Sequence, residues 1–143
     1  MRVLHLAPHP DDEAVGAPAT LLGLVAAGHD VVNLACSLGR PADQVRREAE
    51  AREACARAGF ALEIVRPPPA TSRGDDLAAA QAALTAAIAA RLDGVDLVVG
   101  PSPHDGHHGH EVVGRAARDA VPGAARPPRL WLWGVWADLP LPT

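Results

Sequence analysis

The chain has 143 residues, a formal net charge of −4 at neutral pH and a pI near 5.9. That is enough for one domain with a buried core, and too acidic for the basic footprint of a nucleic-acid binder. It contains no apolar run of about 18 residues to span a membrane, and the apolar start Val3–Ala7 is too short for the core of a secretory signal.

The expectation is therefore a single domain, 1–143, acting in the cytoplasm on a small molecule. Every basic residue is Arg, with no Lys and no Tyr; this bias, with the Ala richness, suggests a GC-rich bacterial source. Cys36 and Cys55 sit in apolar surroundings without CxxC spacing, which suits buried free thiols in a reducing compartment.

Val3–Ala7 reads as a buried strand, short and stopped by Pro8, with His5 as a hydrogen-bonded core residue. From Asp12 to Ala27 the positions of Val15, Leu21, Leu22 and Val25 suit a helix ending near Gly28, kinked or delayed by Pro18. Val31–Ser37 is a second strand. Asp43–Ala58 is a charged helix closed by Gly59, with Arg46 and Glu50 spaced as a surface pair. Ala61–Val65 is a third strand, and Pro67–Gly74 a loop. Leu77–Leu92 is an amphipathic helix, Leu97–Gly100 a fourth strand, Glu111–Ala120 a helix, and Leu130–Val135 a Trp-rich fifth strand.

Strands alternating with helices imply an α/β fold: a mostly parallel five-stranded sheet in a Rossmann-like three-layer sandwich, order 3-2-1-4-5, with right-handed crossovers. In that order strands one and four lie side by side where the winding reverses, and their loops open a crevice at the strand C-termini. Two polar clusters follow these strands: Ala7-Pro8-His9-Pro10-Asp11-Asp12-Glu13 and His104-Asp105-Gly106-His107-His108-Gly109-His110. Topology alone directs both into one crevice.

A catalytic zinc takes three protein ligands and leaves one position open. His9 and Asp12 lie three apart across the strand-to-helix bend. His107 and His110 are also three apart and share a face if the helix begins near His107. The candidate ligands are His9, Asp12 and His110. Asp11 is left free beside the metal as general base, His107 stands ready to stabilise an oxyanion, and Asp105 can orient an imidazole. His104 and His108 read as surface or supporting residues.

At these residues the sequence resembles the PIG-L/LmbE-like zinc-dependent N-deacetylases. Residues 7–13 are similar to the family's (A)HPDDE signature and Pro103–His110 to its second, histidine-rich motif. Arg47, Glu50, Ala54 and Gly59 resemble its RxxE…A…G helix. The resemblance implies zinc on His9, Asp12 and His110, one ion per chain with Fe²⁺ as an alternative, Asp11 as base, and His107 polarising the amide. It also implies an N-acetyl amino-sugar conjugate as substrate. Two departures stand out. Gly109 replaces an acid of the usual HPDH run, and the chain stops at Thr143 where members normally continue, so the C-terminal portion of the family is expected to be absent.

Arg40 and Arg73, on loops leaving the same sheet edge, are candidate contacts for an anionic aglycone, since Arg suits bidentate recognition of carboxylate or phosphate. Trp131, Trp133 and Trp136 are expected to need cover, either from a homo-oligomer through the fifth strand or by leaving an open, weakly selective site. The competing readings are a catalytically weak or inactive sugar- or metal-binding remnant and a nucleotide-binding Rossmann domain. The latter lacks the G-x-G-x-x-G turn and carries acids where phosphate would sit.

Overall fold

The computed structural model describes residues 1–137; the last six residues of the expected 1–143 domain lie outside the described residues. Five strands form one sheet: β1 Arg2–Ala7, β2 Asp30–Ala35, β3 Ala61–Ile64, β4 Leu97–Pro101 and β5 Arg129–Trp133. The order is β3-β2-β1-β4-β5, and every pairing is parallel. β1 and β4 are covered on both faces, so they read as continuous apolar runs rather than alternating ones; the last five residues of β1 and all five of β4 are buried.

The helices are α1 Asp12–Val15, α2 Pro18–Ala26, α3 Gln44–Ala58, α4 Leu77–Ala89 and α5 His108–Ala120. The single helix expected over 12–27 is two. Pro18 takes the first position of α2, where its missing N–H is harmless, and α1 ends at Val15 before it. A 3₁₀ turn at Pro41–Asp43 precedes α3, and α5 begins at His108 with His107 as its extended N-cap. His107 is thus outside the helix, and its alignment with His110 does not come from a shared helical face.

Successive β1 residues point to opposite faces, which divides the core. Leu4, Leu6, Leu34, Val98, Leu84, Ile88, Val112 and Val113 pack under α4 and α5. Val3, Leu21, Val31, Cys55, Phe60, Leu97, Val99 and Trp133 pack on the other face, with α2 and α3. Eight residues of α5 are buried, and Gly114 lets this helix press onto the β4 exit, since a Cβ there would lie 2.6 Å from the Pro103 nitrogen and 2.7 Å from the Pro101 oxygen.

The tryptophans do not form one bare cluster. Trp133 is 6 % exposed, whereas Trp131 is 45 % and Trp136 70 %. Trp133 lies against α1 at Gly16, where a Cβ would come within 2.6 Å of its ring. The expectation that all three tryptophans need outside cover is corrected for Trp133, which the chain itself buries, while Trp131, Leu132 and Trp136 are exposed.

Candidate metal centre

β1 ends at Ala7, and the chain turns through Pro8-His9-Pro10 into α1, so His9 and Asp12 hang over the C-terminal edge of the central strand. The Asp12 side chain is 5 % exposed. Its Oδ2 accepts the His9 backbone N–H at 2.8 Å and lies 3.4 Å from His9 Nδ1. Its Oδ1 lies 3.3 Å from His110 Nε2. His110 is fixed from behind: its Nδ1–H donates to Asp105 Oδ2 at 2.7 Å. Asp105 is fully buried, and its Oδ1 accepts the backbone N–H groups of Val135 (2.6 Å) and Trp136 (3.3 Å).

With Nδ1–H committed to Asp105, His110 turns a lone pair on Nε2 toward a carboxylate oxygen. Two lone-pair donors that close require a proton or a cation between them. One Asp12 oxygen faces His9 Nδ1 at 3.4 Å and the other faces His110 Nε2 at 3.3 Å, so the carboxylate lies between two imidazoles. His9, Asp12 and His110 therefore fit a divalent cation in the chemistry of their donor atoms. Burial pushes the Asp12 carboxyl up, but the imidazoles of His110 and His9 hold it well below the usual carboxylate range. For His110, burial lowers the pKa and is outweighed by Asp12 and Asp105, which raise it.

His107 enters the same space. One ring nitrogen each of His9, His107 and His110 lie within 4.8 Å of one another, with ring centroids 5.3 Å apart for His9–His107 and 4.6 Å for His107–His110. Its Nδ1 is buried and has no hydrogen-bond partner among the described residues. Burial, then the neighbouring His110, His9 and His108, keep its pKa below the ordinary imidazole value.

Asp11 takes a backbone conformation that non-glycine residues rarely adopt, φ 138°. Such geometry costs about 1–3 kcal/mol and persists where the surroundings enforce it. Buried Glu13 does so here by accepting the Asp11 N–H at 3.1 Å, while Arg47 Nη2 donates to the Pro10 carbonyl at 3.1 Å. The Asp11 side chain is left 66 % exposed, 3.8 Å from Arg47. Burial and the Asp12 charge raise its pKa against the opposing pull of Arg47.

A cleft of about 330 Å³ opens over these groups, walled by Val15, Arg47, Val135 and Trp136. A second, polar one of about 430 Å³ adjoins it, sharing Asp11 and Arg47 and lined by Arg40, Asp43, Arg46 and Ser72. Arg40 reaches this second cleft but pairs with Asp43. Arg73 is exposed and lines neither cleft, although its neighbour Ser72 does. His104 is exposed, and His108 stacks on His107 at 4.6 Å. Sequence reasoning gave no role to Glu13 or Arg47. Both lie in the stretches that carried the resemblance, at the end of the first signature and the start of the RxxE helix.

The family model described as PIG-L: GlcNAc-PI de-N-acetylase matches residues 4–121. The chain belongs to this family. No curated protein matches it. Among solved structures, this PIG-L member is similar to the A40926 pseudoaglycone deacetylase Dbv21, at 21 % identity and TM-score 0.78 over 99 % of this chain and 69 % of that one. It is also similar to the zinc-inhibited form of teicoplanin deacetylase Orf2, at 19 % identity and TM-score 0.76 over 100 % of this chain and 73 % of that one. A third is GalB, a 4-carboxy-2-hydroxymuconate hydratase from Pseudomonas putida KT2440, at 17 % identity and TM-score 0.59 over 90 % of this chain and 63 % of that one. At such identities these likenesses establish the shared fold, and a fold alone does not fix a reaction.

Proposed function

We propose that this PIG-L member is a metal-dependent hydrolase that removes an N-acetyl, or other N-acyl, group from an amino-sugar conjugate. His9, Asp12 and His110 would hold one divalent ion, zinc or alternatively Fe²⁺. The observation that carries the reading is the buried Asp12 carboxylate, one oxygen 3.4 Å from His9 Nδ1 and the other 3.3 Å from His110 Nε2, with the carboxylate of Asp11 beside it. A bound zinc-class ion would supply Lewis acidity, lowering the pKa of water and polarising the amide carbonyl.

This chain's own residues do the rest. Asp11 takes a proton from the attacking water as the C–O bond forms, and returns it to the amine nitrogen as the C–N bond breaks. Its raised pKa suits both transfers. His107, held neutral by its surroundings, donates an N–H to the carbonyl oxygen as negative charge develops there. Asp105 holds His110 in the tautomer that presents Nε2. Arg47 and Arg40 flank the second cleft, where an anionic aglycone on the sugar would meet them; Arg73 has a weaker claim.

The cytoplasm is the proposed setting, supported by the free, buried Cys36 and Cys55. Among the described residues no helix is long and apolar enough to cross a membrane. The test is acetate release from a panel of N-acetyl amino-sugar conjugates, free and glycosylated, by zinc- and iron-loaded protein. Release from at least one conjugate is expected. A fully loaded protein that releases acetate from none would return the chain to the reading of an inactive binding remnant.

A further inference from the structure

We propose that His107 is a fourth protein ligand at this centre in the absence of substrate, so that the site rests closed and substrate must displace His107 to enter. The inference rests on the metal-centre reading above and adds a state to it. Structural zinc sites have four protein ligands, whereas catalytic sites keep one position open. Here the chain offers four: nitrogens of His9, His107 and His110 that lie within 4.8 Å of one another, and Asp12, whose carboxylate oxygens face His9 and His110.

Three observations carry the proposal. His107 Nδ1 is buried and lacks a hydrogen-bond partner among the described residues; no protein group there fixes the ring in another use. A buried imidazole nitrogen without a partner is costly, and binding a cation would satisfy it. As the extended N-cap residue, His107 stands before the first helical turn and, among the described residues, lacks the carboxylate partner that fixes His110. The third is Gly109. A Cβ at this position would lie 2.8 Å from His9 Cε1, 2.9 Å from His9 Nε2 and 3.3 Å from His107 Cε1. Gly109 therefore does more than omit an acid: its empty side-chain volume is where the His9 ring and the edge of His107 come together, edge to face. Any larger residue would push these rings apart. Because these three nitrogens already lie within 4.8 Å of one another, closing to a tetrahedral edge of about 3.4 Å is within reach of side-chain rotation.

The test uses the full chain loaded with Co²⁺, whose visible absorption reports coordination, and azide as an added ligand. For the native protein the cobalt spectrum should be unchanged by azide at tens of millimolar, because no position is open. In His107→Ala the spectrum should shift on azide addition, and cobalt affinity should fall by at least the roughly tenfold that loss of a supporting residue costs. Gly109→Ala provides the second variant: it removes no ligand, and it should also admit azide because it wedges the rings apart. Azide binding as tight to the native chain as to His107→Ala would overturn the proposal and leave the metal-centre reading standing. Failure of the folded native chain to bind cobalt would overturn both.

Discussion

One buried carboxylate joins the metal centre to the end of the sheet: Asp105 accepts Nδ1–H of His110 on one oxygen, at 2.7 Å, and the Val135 N–H on the other, at 2.6 Å. The same residue thus orients a proposed ligand and anchors the segment after β5 that walls the cleft. Asp105→Ala is expected to lower zinc affinity roughly 10–100-fold, as loss of a hydrogen-bonding support does elsewhere. It should also speed hydrogen exchange at the Val135 and Trp136 amides. Chelator competition reads the first effect and exchange the second. A variant with lowered affinity and unchanged exchange would show that the two roles are separate.

Asp11 and His107 should separate kinetically. Asp11→Asn keeps the shape and removes the base, so turnover should vanish with metal content intact. At saturating zinc, His107→Ala should retain a measurable rate, reduced about 10²–10³-fold if one oxyanion donor is lost. Equal residual rates in the two variants would contradict this division of labour.

The buried His5 predicts a pH dependence of stability. Its Nδ1–H donates to Asn33 Oδ1 at 2.6 Å, and burial lowers its pKa from 6.5 to about 4. The unfolded chain binds a proton below pH 6.5 that the folded chain refuses until about pH 4. Stability is therefore full above pH 6.5 and is lost as pH falls toward 4. Between pH 6.5 and 5 the loss should be about 2 kcal/mol. Urea denaturation of metal-free native protein and of His5→Gln at both pH values isolates this from other groups. The native chain should lose about 2 kcal/mol more than the variant, and parallel losses would refute the assignment.

Gly16 is the counterpart of Trp133 across the second core. A Cβ at Gly16 meets Trp133 ring atoms at 2.6 and 2.8 Å, so Gly16→Ala must shift a buried indole. Overpacking of this kind costs about 1–3 kcal/mol, although helix propensity favours Ala. A lowered denaturation midpoint with altered near-UV dichroism is expected. An unchanged or raised midpoint would mean that Trp133 moves without cost.

Much of the fold was legible because apolar runs ending in Pro or Gly mark strand and helix ends without reference to the rest of the chain. The strand order followed because the alternating pattern leaves few ways to wind a parallel sheet, and it carried His9 and His110 to one edge. What was illegible depended on distances between segments. Nothing local reveals that Glu13 supports the backbone of Asp11, that Arg47 reaches Pro10 from α3, or that Gly109 gives room to the His9 ring. The helix expected from Glu111 begins earlier, at His108, yet one residue too late for His107 to share a helical face with His110. Trp133 looked bare by position, but α1 folds over it at a glycine.

The central claim is that the clusters after β1 and β4 form one metal centre. Its most direct test is the zinc content, by elemental analysis, of native, Asp11→Asn, Asp12→Ala and His110→Ala proteins reconstituted together and dialysed free of loose metal. About one ion per chain is expected in the native protein and in Asp11→Asn. Asp12→Ala, altered in the first cluster, and His110→Ala, altered in the second, should both retain little. Equal zinc in all four proteins, or zinc lost from only one cluster's variant, would contradict the account.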